Sequence, residues 1–146
     1  MELSDLYSSK IIEIAGRLPI TEPLSAPDAT ARKVSRICGS IVEVSLNLRD
    51  GVVTDYAHDV SACALGQTTA SIVAEHIVGS TPEELRALRT QMYAMLKEEG
   101  PPPTGKWEDL KYLEPVRDYT ARHTSTLLVF DAVVDCLDEA EKVSIN

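Results

Sequence analysis

Residues 42–60 constrain the fold more than any other stretch of this chain. Val42-Glu43-Val44-Ser45-Leu46-Asn47-Leu48 alternates apolar and polar side chains with a period of two, the signature of a strand buried on one face. Asp50-Gly51 supplies a tight turn, and Val52 to Val60 reads as the returning strand. Its spacing predicts Val52, Thr54, Tyr56, His58 and Val60 on one face and Asp55 and Asp59 on the other. An antiparallel hairpin lays the start of its first strand beside the end of its second. Cys38, just before the hairpin, and Cys63, just after it, are therefore expected at one end of the sheet although 25 residues separate them. That placement points to a shared metal or sulfur site.

The segment after Cys63 sharpens the expectation. Ala64-Leu65-Gly66-Gln67-Thr68-Thr69-Ala70-Ser71 leads into Ile72 to Val78, a helix of small and apolar residues that Gly79 stops. Cys63 thus stands near a helix N-terminus. Free backbone N–H groups and the positive end of the helix dipole favour an anion there, in this case the thiolate that binds metal or attacks sulfur.

With 146 residues, 44 % of them hydrophobic, the chain is expected to form one domain over residues 1–146 with its own core and no need of disulfides. Three cysteines spaced 25 and 73 apart make neither a Cys-x-x-Cys zinc pair nor an even disulfide framework, and no N-terminal segment resembles a signal peptide. A reducing, cytoplasmic location is the expectation. No run approaches the ~20 apolar residues that span a bilayer, so no membrane partner is expected. Fourteen basic against twenty-three acidic side chains give a net charge of -9, which repels a phosphate backbone and argues against nucleic acid. The same acidity suits solubility, or a surface complementary to a basic protein.

Elsewhere, Leu3, Tyr7, Ile11, Ile14 and Leu18 recur at helical spacing after Ser4-Asp5 as caps, which predicts a helix over residues 4–17. Residues 19–34, broken by Pro19, Pro23 and Pro27, read as an extended, flexible connection leading to Cys38. Thr81-Pro82-Glu83-Glu84 carries a cap, a proline at the first helical position and a capping-box glutamate, opening a helix through Leu85, Leu88, Met92 and Leu96. Gly100-Pro101-Pro102-Pro103-Thr104-Gly105 ends it in a stiff loop. Trp107, Leu110, Leu113 and Val116 then mark a short helix or docked segment, with Trp107 as a packing anchor. Leu127, Phe130, Val134 and Leu137 form the stripe of a last helix over about 120–139. Cys136 lies about three turns, or ~16 Å, beyond the start of that helix and reads as an inert buried thiol.

The cysteine segments resemble the U-type iron-sulfur cluster assembly scaffolds, the NifU-like and SufU-like proteins. Those proteins carry a Cys-Gly-Asp turn before the hairpin, matched here by Cys38-Gly39-Ser40. Their second cysteine opens a helix rich in Ala and Ser, matched by Cys63 to Ile72 with Gly79 closing it. Their third lies near the start of the last helix in an Ala-Arg-x-x-Cys context, matched by Ala121-Arg122-His123-Thr124-Ser125. The resemblance runs from the first helix to about residue 135, and the insertion between 99 and 115 resembles the SufU-like branch.

The hairpin's alternation demands one buried face and the helices supply apolar stripes, so the expected fold is α+β, a small, largely antiparallel three-stranded sheet packed against helices on one face. The resemblance implies a scaffold and not an enzyme: a cysteine desulfurase delivers sulfur, iron or zinc is held at the cysteine end, and a transient iron-sulfur cluster passes to acceptor proteins. The family's three cysteines and one aspartate are reduced here to Cys38 and Cys63, with Ser40 and Ser125 in the other two places, and a neutral hydroxyl ligates these metals poorly. His123 is therefore the third candidate metal ligand beside Cys38 and Cys63, with His58 or Asp59 as more distant candidates from the hairpin. Arg122 is a candidate to hold an anionic sulfur species. Two alternatives stand beside the scaffold: a metal-free interaction or regulatory module of the same fold, and a thiol enzyme using Cys63 with His123 as base, for which no third orienting group is evident.

Overall fold

A computed structural model describes residues 7–37 and 39–145, with side chains to residue 142. Three strands, β1 (Ala29–Val34), β2 (Ile41–Arg49) and β3 (Val52–Ser61), pair antiparallel in the order β1-β2-β3. The alternating pattern of β2 works as its period requires: Val42, Val44 and Leu46 are fully buried while Glu43 faces out. The returning strand keeps this phase only part of the way. Asn47 pairs with Asp55 but Leu48 pairs with Val53, so Thr54 is an extra residue that shifts the register. Tyr56, His58 and Val60 share the core side with Leu46, Val44 and Val42, as expected, whereas beyond the bulge it is Val53 that enters the core and not Val52 or Thr54.

The segment read as a connection over 19–34 contains a strand. Ala29 to Val34 pairs with β2, and its register was hidden by a sequence, ATARKV, with few β-branched or aromatic residues. The part before it is anchored as well. Thr21 Oγ1 accepts the His58 N–H at 2.9 Å and donates to the His58 carbonyl at 3.0 Å, covering the free edge of β3 as a fourth strand would.

Helices cover one face of the sheet. α1 (Ser9–Gly16) is capped by Ser8, whose Oγ accepts from the Ile11 N–H at 3.3 Å, and buries Ile11 and Ile14; Ser4 and Asp5, expected as caps, lie outside the described residues. α2 (Ala64–His76) begins immediately after Cys63. α3 (Pro82–Lys97) starts as its sequence demands, with Thr81 Oγ1 accepting from the Glu84 N–H at 3.0 Å and Pro82 in the first turn. The Glu84 carboxylate does not close a capping box; it accepts from Trp107 Nε1 at 2.9 Å.

Residues Gly105–Asp118 form a 3-10 helix, which explains why Trp107, Leu110, Leu113 and Val116 recur every third residue. A helix of three residues per turn puts such a series on one stripe, and all four are buried. A second short 3-10 turn, Thr120–Arg122, leads into α4 (His123–Ile145). α4 lies against β1, β2, α2 and α3 at once, so its buried surface is wider than the predicted stripe: Val133 and Cys136 are core residues, while Val134 is half-buried. Among the described residues, no helix is long and apolar enough to cross a membrane.

Candidate metal and sulfur site

The open end of the hairpin, the start of α2 and the start of α4 meet at one place. The ladder of β2 and β3 closes at the pair Ile41 and Ser61, two residues before Cys63. On the other strand a tight turn precedes β2, in which Gly39 N–H donates to the Ser35 carbonyl at 2.8 Å and Ser35 N–H to the Ser40 carbonyl at 2.8 Å. Gly39 has φ +71°, a left-handed conformation that glycine adopts without strain. Cys38 lies outside the described residues. Ser40, which stands where the family places an aspartate, is 2 % exposed.

Cys63 is the N-cap residue of α2, with extended backbone at φ -69° and ψ 173°, and its side chain caps no backbone N–H. Its carbonyl instead accepts from Gln67 N–H at 2.9 Å, and Gln67 Nε2 donates to the Ala62 carbonyl at 2.9 Å, so the entry to the helix is held from both sides. Cys63 is half-buried and stands at the helix start, where the first N–H groups have no intrahelical partner. Its hydrogen-bond partner is Ser125: the thiol donates to Ser125 Oγ across 3.6 Å. Ser125, 1 % exposed, donates its own proton to the Arg122 carbonyl at 3.3 Å.

His123 is buried at the start of α4, and its Nε2 lies 3.0 Å from the Val116 carbonyl and 3.1 Å from the Arg117 carbonyl. Carbonyl oxygens only accept, so Nε2 carries the proton and Nδ1 the lone pair. Nδ1 is buried with no hydrogen-bond partner among the described residues. The imidazole therefore does one structural job, bracing the 3-10 segment against α4, and keeps one unused acceptor.

The more distant candidates are turned elsewhere. His58 Nε2 donates to the Pro19 carbonyl at 2.8 Å, and Asp59 pairs across the strands with Glu43 on the face away from the core. Among the described residues no group of three or more His, Cys, Asp and Glu side chains is arranged to hold a metal ion. Of the candidates, the structure brings together the Cys63 thiol and the Ser125 hydroxyl. Cys136 is remote in character as well as position: fully buried, bonded to the Val44 carbonyl at 3.6 Å, its thiol is pushed up to about 12 by loss of water. The meeting of Cys63 with the start of the last helix, at Ser125, is the convergence that the family resemblance implied; strand pairing alone does not supply it, since α2 and α4 share no register.

A crystal structure of a nitrogen-fixing NifU-like protein (N-terminal) from Brucella abortus matches this fold with a TM-score of 0.93 and 54 % sequence identity, over 96 % of this chain and 97 % of that one. The chain belongs to the U-type iron-sulfur cluster assembly scaffold family. A second relative of the U-type scaffolds, the iron-sulfur cluster assembly scaffold protein IscU of Thermotoga maritima, is 23 % identical over 137 residues, 94 % of this chain and 96 % of the relative. The SUF-system scaffold of Fervidobacterium islandicum AW-1 shares the fold, with a TM-score of 0.83 and 16 % identity over 93 % of this chain and 99 % of that one. No family model matches the chain. In this fold it is the Ser125 hydroxyl that meets Cys63.

Proposed function

We propose that this chain acts in iron-sulfur cluster assembly as a scaffold-like protein of 146 residues in one domain, taking sulfur from a cysteine desulfurase and holding iron, zinc or a nascent cluster for transfer to acceptor proteins. The observation that carries the reading is the approach of two helix starts, with Cys63 Sγ 3.6 Å from Ser125 Oγ at the position the family uses for a thiol. Cys63 is the sulfur acceptor. Its thiolate attacks the outer sulfur of the donor's persulfide, the donor's S–S bond breaks, and the donor thiolate leaves, so sulfur moves with no net oxidation. The positive end of the α2 dipole, at whose N-cap Cys63 stands, favours the resulting anion.

Cys38 is the second metal ligand in this reading and His123, through the lone pair of Nδ1, the third. The orphaned Nδ1 supports that role, since a buried acceptor without a partner costs stability that a metal would offset. Mixed sulfur and nitrogen ligation by fewer thiolates holds iron or zinc less firmly than the family's three cysteines and one aspartate, which suits transfer. The chain works without catalysing a turnover of its own, in a reducing, cytoplasmic setting where thiols stay free.

One observation favours a second reading, a metal-free interaction module of the same fold: the two replaced ligand positions are buried serines, 2 % and 1 % exposed, built into the structure as hydrogen-bonding groups. Metal and acid-labile sulfide in anaerobically purified protein, measured for wild type, Cys38→Ala and Cys63→Ala, separates the two. Metal retained by wild type and lost from both variants is the expected result. Tight binding of a desulfurase by protein that never takes up iron or zinc would overturn the scaffold reading in favour of the module.

A further inference from the structure

We infer that Gly66 is a positioning residue of the Cys63 site: its missing side chain lets the start of α4 close on the start of α2, and so sets the distance between Cys63 and residue 125. The inference deepens the proposed function, because it rests on the site lying between those two residues.

A β-carbon built on Gly66 would sit 2.8 Å from Ala62 Cβ and 3.2 Å from the Ser125 carbonyl oxygen. The first distance is below the 3.0 Å that real β-carbons essentially never breach, and the second is tighter than ordinary contact, which begins at 3.4 Å. Both walls belong to the site. Ala62 immediately precedes Cys63 and its carbonyl is bonded to Gln67, so a push on residue 62 is passed to the cap residue. Ser125 is backbone on one side of the contact and the Cys63 hydrogen-bond partner on the other. Gly66 is helical, and its backbone angle needs no glycine, for it is absent from the positive-φ residues. Glycine in a helix interior costs about 1 kcal/mol against alanine. The close approach of two helix starts is what it provides in exchange.

The test is a double-mutant cycle on the full chain, reading the alkylation rate of Cys63 by iodoacetamide at one fixed pH, resolved by peptide mass spectrometry. With Gly66 in place, Ser125→Ala removes the hydroxyl that holds the thiol and is expected to raise the rate about fivefold, the worth of one ordinary hydrogen bond. In Gly66→Ala the hydroxyl has already been wedged away, so Ser125→Ala is expected to change nothing further. Equal effects in both backgrounds would overturn the inference. The buried thiol of Cys136 reports unfolding: it stays unlabelled if Gly66→Ala acts on position alone. Should that variant label Cys136, the cycle is repeated on Ala62→Gly/Gly66→Ala, which relieves the 2.8 Å contact, restores folding and keeps the 3.2 Å contact with Ser125.

A separate arm judges the metal reading. In Cys38→Ala/Ser125→Cys, residues 63 and 125 are the two thiols within reach of one ion, and cadmium alone is titrated while its thiolate charge-transfer absorbance is followed. The expected band weakens about tenfold in affinity when Gly66→Ala is added, the usual effect of disturbing the groups that orient a ligand. No band with Gly66 present would refute joint metal binding by these two positions, while the alkylation cycle still decides the role of Gly66.

Discussion

Replacing His123 separates its two roles. In the folded protein its Nε2–H is shared between the carbonyls of Val116 and Arg117, and its Nδ1 is buried without a partner among the described residues. His123→Ala leaves both carbonyls short of a donor and opens a space the size of a ring. Unsatisfied buried acceptors cost about 1–3 kcal/mol and truncation of a buried ring adds to this, so a loss of about 3 kcal/mol is expected. For a chain of this size each kcal/mol moves Tm by about 3 °C, which gives a fall of about 9 °C in protein stripped of metal. His123→Gln keeps an N–H donor for the carbonyls and replaces the nitrogen lone pair with an amide oxygen, a poorer ligand for iron or zinc. Its apo Tm is expected within about 3 °C of wild type, a difference of about 1 kcal/mol.

Thermal unfolding followed by circular dichroism in the presence of a chelator reads the brace, and metal content of the same preparations reads the ligand. A change of less than about 2 °C in apo His123→Ala, smaller than about 1 kcal/mol, would refute the bracing role. Full metal retention by His123→Gln would refute ligation by Nδ1 while leaving the brace intact. Because the two variants fail in different assays, neither outcome is confused with general destabilisation.

Other consequences are as direct. Burial holds the Cys136 thiol at about 12, above its ordinary value of 9.0, so the folded chain keeps a proton that the unfolded chain releases between those values. Stability is therefore fully present below about pH 9 and falls as the pH rises toward 12, by at most about 1.4 kcal/mol per unit, and Cys136→Ala removes that part of the slope in urea unfolding measured across this range. A slope unchanged in Cys136→Ala would contradict the burial. Thr81→Ala removes the cap on α3 and is expected to cost about 1 kcal/mol in equilibrium unfolding; a neutral effect would show that the first turn is held without it.

How far the sequence reveals this fold depends on where the period of each element comes from. β2 and α3 were legible because one face of each is buried, and their apolar residues keep the period of the backbone. β1 was not, since ATARKV carries little strand preference and is held by pairing with β2 and by the packing of α4, neither of which is local. The bulge at Thr54 was hidden for a related reason: Val52 and Val53 are both apolar, so either satisfies a buried face, and the ladder with Asn47 and Leu48 decides. The 3-10 helix was present in the sequence as a spacing of three, but a spacing of three also fits one side of an α-helix, and four residues do not distinguish the periods.

The site obeys the same division. Its expected placement at the open end of the hairpin follows from strand pairing, whereas its dimensions depend on how closely α2 and α4 approach. That approach is governed by a residue with no side chain. A glycine in a run of small residues looks like low-cost filling, yet here the atom it lacks would collide with the residue before Cys63 and with the backbone of Ser125. The serine at 125 then matters in a way its poor ligating chemistry does not suggest: held 3.6 Å from the sulfur, its hydroxyl accepts from the thiol while its own proton goes to the Arg122 carbonyl, so it holds the neutral side chain in place. Replacing a third thiolate by a hydroxyl at that distance removes one negative charge from the site while retaining a hydrogen bond to Cys63. In the proposed reading the site therefore has less charge to attract a cation than one built with a third thiolate.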